Sequence, residues 1–348
     1  MGKRIAVLGT GANGASIAAD LVRAGHDVTL IEQWPEHVEA MRARGLTVRM
    51  PQETQVTPVT VKHLCEVATF TEKFDVVLML LKAYDSRWGA ELIKPHLAAD
   101  GLMIGVQNGM STDDIAQIVG EERTIGCVIE ITSMMFEPGV VERHSPWDRS
   151  WFAVGSIHPA TEARVGEAAA LLRHAGAVEI VDDIRSAKWM KLVSNSTTLV
   201  TTAILGLPML EAAAIPEMRA LMLRSGNEAL AAGAAEGYQM LPIFGLTADA
   251  LADRERAVEV LLDTLLGGFV LPASKTTILQ DWIKDRHSEV DDINGRVVAL
   301  SQRHGLSAPV NAAVVEVAHR IERGELAPDP SNLELLLALE QDLQGAHR

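Results

Sequence analysis

Lys191 and Asn195 lie four residues apart in the segment SAKWMKLVSNS, which spans residues 186–196. The segment has small and apolar flanks and predicts a helix in which these two side chains share one face. A protonated lysine can give its proton to an oxygen that becomes negative during a reaction, and a neighbouring amide can hold the same molecule. A lysine on a helix more often faces solvent, which leaves a solvated edge as the alternative.

Other polar residues follow predicted strands or begin a predicted helix. Lys82 and Asn108 come directly after buried strands, at the edge of the sheet where open α/β folds bind ligands. Ser274, Thr276 and Thr277 come before a predicted helix, and Glu289 lies about three turns further along the chain. Taken singly, each also has a purely structural interpretation: a strand-exit lysine, an Asn-Gly turn, a helix cap and a solvated acid.

Three glycines connect the first predicted strand to the first predicted helix with the spacing G-x-G-x-x-G. Gly9 permits a tight turn, Gly11 lets the backbone approach a pyrophosphate, and Gly14 lets the helix pack close to the strand. The phosphates of such a ligand bind at the positive end of the helix. The loop therefore predicts a dinucleotide site, even in an acidic protein.

Glu32 ends the second predicted strand, roughly 20 residues after the glycine loop, as the dinucleotide-binding fingerprint requires. A carboxylate at this position accepts a hydrogen bond from the adenosine ribose of NAD and repels the 2′-phosphate of NADP. NAD(H) is therefore favoured as the cofactor. NADP(H) stays possible because Arg42 and Arg44 follow on the next helix, and a solvated strand end is the alternative interpretation of Glu32.

Strand-like and helical segments alternate through the first half of the chain. The predicted strands span residues 4–8, 26–32, 74–82, 101–109, 124–132 and 176–184. Their alternation with helices predicts a parallel sheet covered on both faces. Turn residues between the short β-prone runs of 136–146 and 150–157 predict a hairpin that closes this sheet. From Ser186 onward strand-like segments nearly vanish. The expected fold is α/β: an N-terminal Rossmann-type doubly wound sheet (1–182) followed by an all-helical domain (183–348).

Composition excludes several functional classes. The net charge of −15 argues against binding to nucleic acid or to an anionic membrane surface. Cys65 and Cys127 have no metal-ligand spacing and are predicted to be buried thiols, and the eleven histidines show no paired-ligand pattern, so no metal is expected. No apolar run could span a bilayer and no secretory signal begins the chain, so a soluble cytoplasmic protein is expected.

Together these segments resemble the ketopantoate reductase (2-dehydropantoate 2-reductase) family over nearly the whole chain. The matching motifs are GxGAxG at 9–14, LKAYD at 81–85, QNGM at 107–110, KWMKLVSN at 188–195, TTILQD at 276–281 and SEVDDING at 288–295. The resemblance implies a Rossmann domain, a helical domain and an active site in the cleft between them. It also implies reduction of a 2-oxo acid to the 2-hydroxy acid by hydride transfer from NAD(P)H.

The resemblance assigns roles to individual residues. Lys191 matches the catalytic general acid, and Glu289 matches the acidic residue that supports the reacting centre. Asn195 and Thr277 match positions that hold the substrate, as does Asn108. The dinucleotide contacts that the resemblance implies come from Gly9, Gly11, Ala12, Asn13, Gly14, Glu32, Lys82 and Asn108.

Leu199 departs from the family pattern, because an asparagine that helps to hold the substrate's hydroxyl end stands there in the family. An apolar side chain cannot satisfy a buried hydroxyl, although Thr198 or Thr202 could take its place. An NAD-dependent D-2-hydroxy-acid dehydrogenase that acts on a bulkier, more apolar substrate is therefore an alternative function. A non-catalytic dinucleotide sensor is a weaker one. Apolar faces on the long helices also make a homodimer possible.

Overall fold

Runs of apolar residues such as Arg4–Leu8 form strands that are buried on both faces of a sheet. The structure, a computed structural model, describes residues 2–346 and divides the chain into an N-terminal unit, Met1–Arg185, and a C-terminal unit, Ser186–Arg348. The strands are β1 (Arg4–Leu8), β2 (Asp27–Glu32), β3 (Leu46–Arg49), β4 (Thr54–Thr57), β5 (Thr60–His63), β6 (Phe74–Met79), β7 (Leu97–Gly105), β8 (Thr124–Glu130), β9 (Ser133–Glu137), β10 (Val140–Arg143), β11 (Trp151–Ser156) and β12 (Ala177–Ile180).

Helices account for most of the remaining ordered chain. They are α1 (Ala12–Arg23), α2 (Pro35–Arg44), α3 (Ser86–Ile93), α4 (Thr112–Val119), α5 (Pro159–Glu162), α6 (Val165–Leu172), α7 (Ile184–Ala203), α8 (Met209–Ala213), α9 (Pro216–Glu236), α10 (Ala257–Gly268), α11 (Thr277–Ile283), α12 (Arg296–Arg303), α13 (Pro309–Glu322) and α14 (Asn332–Ala346). Local signals set their ends: Pro35 begins α2, and Gly45 ends it with a φ of 77°.

The main sheet of the N-terminal unit has the strand order β12-β11-β8-β7-β6-β1-β2-β5. Strands β5, β2, β1, β6, β7 and β8 pair in parallel. Ile5 and Val7 join one apolar cluster with α1, whereas Ala6 and Leu8 join a second cluster with α3. The predicted α/β class, with a sheet covered on both faces and a helical C-terminal region, is confirmed.

Strand β11 lies in the segment 150–157, which was predicted to help close the sheet, and it joins the main sheet antiparallel to β8. A parallel neighbour requires a crossover connection, usually a helix, whereas an antiparallel neighbour does not. The chain between β8 and β11 contains the β9–β10 hairpin and a short 3₁₀ turn, Trp147–Arg149. It therefore returns to the sheet in the reverse direction.

The β9–β10 hairpin, which overlaps residues 136–146, does not join the main sheet, so the prediction is wrong for this segment. It belongs to a second sheet of order β4-β3-β10-β9, in which Val140 pairs with Thr47. The strands that receive it, β3 and β4, were not predicted, because each has only 4 residues and few apolar side chains. An unpaired strand edge in residues 46–57 gives the hairpin a partner that local sequence does not reveal.

Three sequence expectations concern single residues or whole classes of site. Cys127 is buried in β8, but Cys65 is exposed, so the prediction of two buried thiols is wrong for Cys65. Its 3₁₀ turn, Leu64–Thr69, follows β5 at the edge of the sheet, where one side stays open to solvent. Within residues 2–346, no cluster of His, Cys, Asp and Glu side chains is arranged to hold a metal ion. In the same range, no helix is both long and apolar enough to cross a membrane.

Candidate functional site

The glycines of the first loop serve different purposes in the structure. A Cβ on Gly9, whose φ is 89°, would lie 2.6 Å from the backbone nitrogen of Leu81, and a Cβ on Gly14 would lie 2.0 Å from the carbonyl oxygen of Gly9. Both positions therefore need glycine for the fold itself. A Cβ on Gly11 would meet no atom of the chain within 4 Å. The open space at Gly11 is room for a ligand.

The open space lies at the start of α1. Gly11 is the N-cap residue, and it supplies no side-chain cap for the first turn of the helix. The N–H groups of the first turn, which Ala12 and Asn13 contribute, have no partner within the helix and create partial positive charge there. The first turn also contains no acidic residue that would compete with an anion. The loop therefore fits a phosphate group, as the spacing predicts.

Glu32 is buried, so its interpretation as a solvated strand end is wrong. One carboxylate oxygen accepts hydrogen bonds from the backbone N–H and the hydroxyl of Thr10, at 2.8 and 3.1 Å. The other accepts from the backbone N–H groups of Gln33 and Trp34, each at 2.9 Å. The carboxylate thus joins the glycine loop to the β2–α2 turn, a structural role that its position in the fingerprint does not reveal.

His37 makes a second connection to the glycine loop. Its Nε2–H donates to the carbonyl oxygen of Thr10 at 3.1 Å, and its Nδ1 accepts from the backbone N–H of Gly139 at 2.8 Å. Burial lowers the pKa of the His37 imidazole, while the charge of Glu32 and the bond to Thr10 act in the opposite direction. A neutral ring therefore links the loop to the β9–β10 hairpin. The histidine and Gly139 are too far apart in sequence for local patterns to indicate this contact.

Ser133 fixes the orientation of Asn13 in the loop. The Ser133 hydroxyl donates to the side-chain oxygen of Asn13 at 2.5 Å. Because that oxygen is occupied, the NH₂ group is the side of the Asn13 amide that remains for an anionic ligand. The sequence predicts a cofactor role for Asn13, but Ser133 lies 120 residues away and no signal in the chain pointed to it.

Lys82 and Asn108 lie at the same edge of the sheet as the glycine loop. They follow β6 and β7, which pair in parallel, and β6 also pairs with β1. Both side chains are half-buried. Gly109 has a φ of 72°, so the Asn-Gly turn is real and is compatible with a binding role for Asn108. Gln107 of the QNGM motif, to which the sequence assigned no role, is buried and donates to the Ser86 hydroxyl at 3.0 Å.

In the C-terminal unit, helix α7 carries Lys191 and Asn195, and both side chains are buried. Their exposed fractions are only 7% and 2%, so the interpretation as a solvated helix edge is wrong. The Nζ atom of Lys191 lies 4.9 Å from the centre of the Phe244 ring. The side-chain nitrogen of Asn195 is buried, and the described part of the chain supplies no hydrogen-bond partner for it. A buried amide donor of this kind calls for a ligand or a water molecule.

The hydroxyl of Thr277 does not cap helix α11, because the neighbouring Thr276 does so. Thr276 is the N-cap of α11, and its hydroxyl accepts from the backbone N–H of Leu279 at 3.2 Å. The capping interpretation therefore applies to Thr276. The hydroxyl of Thr277 is buried and has no hydrogen-bond partner among residues 2–346. It is available to a bound molecule.

Glu289 is 4% exposed, which contradicts the interpretation as a solvated acid. It lies just before Val290, the N-cap of a π-helical segment, Asp291–Gly295, and its carbonyl oxygen accepts from the backbone N–H of Ile293. π-helical turns of this kind occur frequently at functional sites. Asp291, by contrast, is exposed and pairs with His319, as expected for a surface acid.

One apolar cluster connects the elements that carry these four residues. It contains Val200 of α7, Ile278 beside Thr277, and Val290 beside Glu289. The predicted site residues of the C-terminal unit therefore lie on elements that share one apolar core. Leu199 also packs against this cluster, half-buried.

Helix α7 is further held by polar contacts along its buried length. The carbonyl oxygen of Ser196 accepts from the Ser225 hydroxyl at 3.0 Å and from the side-chain nitrogen of Asn294 at 3.2 Å. The hydroxyls of Thr198 and Thr202 donate to carbonyl oxygens one turn earlier in the same helix. Neither threonine therefore has its hydrogen available in place of the asparagine that Leu199 replaces.

Both halves of the chain match models of the same protein family. Residues 5–156 match the family model described as ketopantoate reductase PanE/ApbA, and residues 183–322 match the model of its C-terminal part. The 2-dehydropantoate 2-reductase of Caulobacter vibrioides is 29% identical, with 89% of this chain and 96% of that protein covered. The enzyme of the same name from Archaeoglobus fulgidus is 24% identical, with 92% and 99% covered.

Solved structures of similar proteins cover most of the chain. A PanE/ApbA family ketopantoate reductase from Ralstonia eutropha has a TM-score of 0.77 and 25% identity, with 92% of this chain and 99% of that chain covered. A 2-dehydropantoate 2-reductase from Geobacter metallireducens has a TM-score of 0.75 and 26% identity, with 93% and 100% covered. A D-mandelate dehydrogenase in complex with NADH and anilino(oxo)acetate has a TM-score of 0.82, but its 21% identity over 92% and 99% shows only a common fold.

Proposed function

Because the chain belongs to the ketopantoate reductase family, a family of oxidoreductases that act on CH–OH groups, we propose that it reduces a 2-oxo acid to the 2-hydroxy acid with a nicotinamide dinucleotide. The observation that carries this proposal is the burial of Lys191 on the same helix face as Asn195. Removing an ammonium group from water costs free energy, and ionisable groups held in buried positions cluster at functional sites.

The residues of the first loop would hold the dinucleotide. The open position at Gly11 and the N–H groups of α1 suit its pyrophosphate, and the amide NH₂ of Asn13 is oriented to donate to the same group. Lys82 and Asn108, at the same sheet edge, are the further contacts that we propose. When bound, the nicotinamide supplies a hydride to the keto carbon.

Lys191 would act on the keto oxygen, which gathers negative charge as the carbon is reduced. Its ammonium stabilises that charge and then gives up one proton, so that the product is a hydroxyl group and the amine is left neutral. Asn195 and Thr277 would orient the substrate through the buried amide and hydroxyl described above. Glu289 would hold the lysine or a cofactor hydroxyl in place.

We propose NAD(H) rather than NADP(H) as the cofactor. The buried negative charge of Glu32 disfavours a 2′-phosphate near the end of β2. The two arginines that could receive such a phosphate have other partners: Arg42 pairs with Glu39 and Glu66, and Arg44 donates to the carbonyl oxygen of Pro138. The carboxylate of Glu32 already accepts four hydrogen bonds, so the preference would come mainly from repulsion of the phosphate.

A second candidate function is an NAD-dependent D-2-hydroxy-acid dehydrogenase whose substrate is bulkier and more apolar than ketopantoate. Leu199 favours this alternative, because the residue that replaces the family's asparagine packs against the apolar cluster and cannot form a hydrogen bond with a hydroxyl of ketopantoate. Phe244, whose ring is close to the Lys191 ammonium, adds a second apolar side chain near the proposed acid. The proposal therefore extends to branched and aromatic 2-oxo acids.

A substrate panel separates these candidates. Ketopantoate, branched 2-oxo acids and aromatic 2-oxo acids are each assayed with NADH and with NADPH, and kcat/KM is compared. We expect turnover with NADH and a higher kcat/KM for an apolar 2-oxo acid than for ketopantoate. Consumption of NADH with any of these acids would exclude a non-catalytic sensor, and a preference for NADPH would contradict the role given to Glu32.

The proton-donor role of Lys191 has its own test. The variant Lys191→Ala should lose about 10²–10⁴-fold in kcat while its affinity for NADH stays near that of the wild type. Lys275→Ala, which removes an exposed lysine from the same unit, is the matched control for the loss of one positive charge. Near-normal turnover of Lys191→Ala would refute the proposed mechanism.

We also propose that the chain forms a homodimer. Ile283 and Leu306 of the C-terminal unit are 50% and 40% exposed, and a second copy of the chain would cover apolar side chains of this kind. Sedimentation velocity over a range of protein concentrations measures the oligomeric state directly. A sedimentation coefficient that stays at the monomer value would exclude the dimer.

A further inference from the structure

The loop that follows α9, residues 238–246, runs along α7 and reaches Lys191. The backbone N–H of Gln239 donates to the Ser186 hydroxyl at 2.8 Å, and the Tyr238 ring stacks on Trp189 with the ring centres 5.2 Å apart. Further along, the Phe244 ring lies 4.9 Å from the Nζ atom of Lys191. The loop is thus attached to α7 at several successive positions.

Phe244 occupies an unfavourable backbone conformation. Its φ is 61° and that of Gly245 is 73°, and the backbone N–H of Leu246 donates to the carbonyl oxygen of Ile243 at 3.1 Å. Two successive positive φ values inside an i→i+3 hydrogen bond define a type I′ turn, in which Gly, Asn and Asp are preferred. A bulky side chain with positive φ is a genuine outlier, and residues with strained backbones cluster at active sites and ligand-binding segments.

Burial and ring packing of Phe244 stabilise this strained turn. The side chain is 6% exposed, and the Phe269 ring packs against it with the ring centres 5.4 Å apart. A glycine or asparagine at position 244 would relieve the backbone but would not put a ring beside Lys191. The strained backbone at Phe244 therefore places one aromatic side chain beside Lys191.

From this geometry we propose that Phe244 is a positioning residue for Lys191: the face of its ring holds the ammonium group in the direction required for proton transfer. This inference rests on the proposed function of Lys191. The ring quadrupole attracts the cation but does not accept a proton, so the lysine remains able to protonate the substrate.

The first test compares three variants in reduction of the best 2-oxo acid from the panel. Phe244→Leu keeps an apolar side chain but has no ring face, so kcat should fall about tenfold with the affinity for NADH unchanged. Phe244→Tyr keeps the ring and should retain kcat within about twofold of the wild type. Tyr238→Leu, in the same loop but stacked on Trp189, controls for general loosening of the loop and should leave kcat unchanged.

A second test preserves the shape of the side chain. Phenylalanine analogues with one to five ring fluorines, incorporated at position 244, weaken the negative ring face in steps. We expect log kcat to fall progressively with fluorination, which loss of packing alone would not cause. This series also covers the case in which Phe244→Leu unfolds the loop.

The outcomes separate this inference from the proposed function. If the fluorinated series and Phe244→Leu keep wild-type kcat while Lys191→Ala is inactive, the positioning role of Phe244 is wrong and the catalytic role of Lys191 stands. If Lys191→Ala is active, the proposed function fails and the role of Phe244 fails with it. An equal loss of kcat in Tyr238→Leu and Phe244→Leu would assign the effect to the loop as a whole and would overturn the specific role of the ring.

Discussion

The carboxylate of Glu32 accepts hydrogen bonds from both the backbone N–H and the hydroxyl of Thr10, at 2.8 and 3.1 Å. A single buried side chain therefore sets the position of the glycine loop relative to the end of β2. The residue that the sequence marks as a determinant of cofactor choice is also a structural support for the phosphate-binding loop. Its substitution should consequently affect stability as well as binding.

Glu32→Gln should lower the free energy of unfolding by about 2 kcal/mol. The new amide nitrogen would face backbone N–H donors, which leaves buried donors without an acceptor. Urea unfolding of the wild type and the variant, followed by circular dichroism, measures the difference. Glu36→Gln, at an exposed position in the first turn of α2, is the control and should change stability by less than about 0.5 kcal/mol. Equal stability of the wild type and Glu32→Gln would show that Glu32 does not stabilise the fold by joining the glycine loop to the β2–α2 turn.

Gly11→Ala and Gly14→Ala should fail in different ways. A Cβ on Gly11 meets no atom of the chain, so this variant should keep its melting temperature while its Kd for NADH rises about tenfold. A Cβ on Gly14 would lie 2.0 Å from the Gly9 carbonyl oxygen, so Gly14→Ala should be strongly destabilised. Differential scanning fluorimetry and titration with NADH measure the two quantities. Unchanged NADH affinity in a folded Gly11→Ala protein would remove the support for a phosphate at this loop.

Loss of stability at mildly acidic pH should depend in part on His37. Burial lowers the pKa of this histidine in the folded protein, whereas in the unfolded chain it takes up a proton near its ordinary pKa of about 6.5. Between that value and the lower folded-state pKa, the unfolded chain binds more protons, so the free energy of unfolding falls as pH falls. The contribution is fully present above the unfolded-state pKa.

The variant His37→Gln tests this dependence. Its unfolding free energy should change less than that of the wild type between about pH 7 and about pH 5, with the slope reduced by up to one proton. His26, His96 and His144, whose pKa values burial also lowers, should account for part of the slope that remains. Parallel pH profiles for the two proteins would show that the protonation of His37 is not linked to folding.

Asn294→Ala should destabilise the C-terminal unit by about 1–3 kcal/mol. Its side-chain nitrogen donates to the Ser196 carbonyl oxygen and to the side-chain oxygen of Asn311, at 3.2 and 2.8 Å, so the substitution removes two buried hydrogen bonds beside Asn195. Thermal unfolding measures the effect. Asn227→Ala, at an exposed position on α9, should behave like the wild type. A melting temperature within one degree or so of the wild type for Asn294→Ala would mean that α7 does not depend on this contact.

Several parts of the fold and the site were predictable because their signals are local. The glycine spacing, the alternation of strands with helices and the Pro35–Gly45 limits of α2 depend on neighbouring residues, and each has its predicted form in the structure. The period of an α-helix likewise predicts that Lys191 and Asn195 share a face of α7. Strands β3, β4 and β5 were missed because they are short and polar, and the partner of the β9–β10 hairpin could not be predicted without them.

The sequence by itself determined the class of the fold, the family and the residue types that could do chemistry, since these depend on composition and on short-range periodicity. Only the tertiary structure decided which polar residues are buried and what they contact. Glu32 bonded to Thr10, Ser133 bonded to Asn13, and Phe244 beside Lys191 are pairs of this kind. Such pairs join residues that are distant in the chain, and their contacts exist only when packing brings separate elements together. Patterns of neighbouring residues therefore cannot predict these contacts.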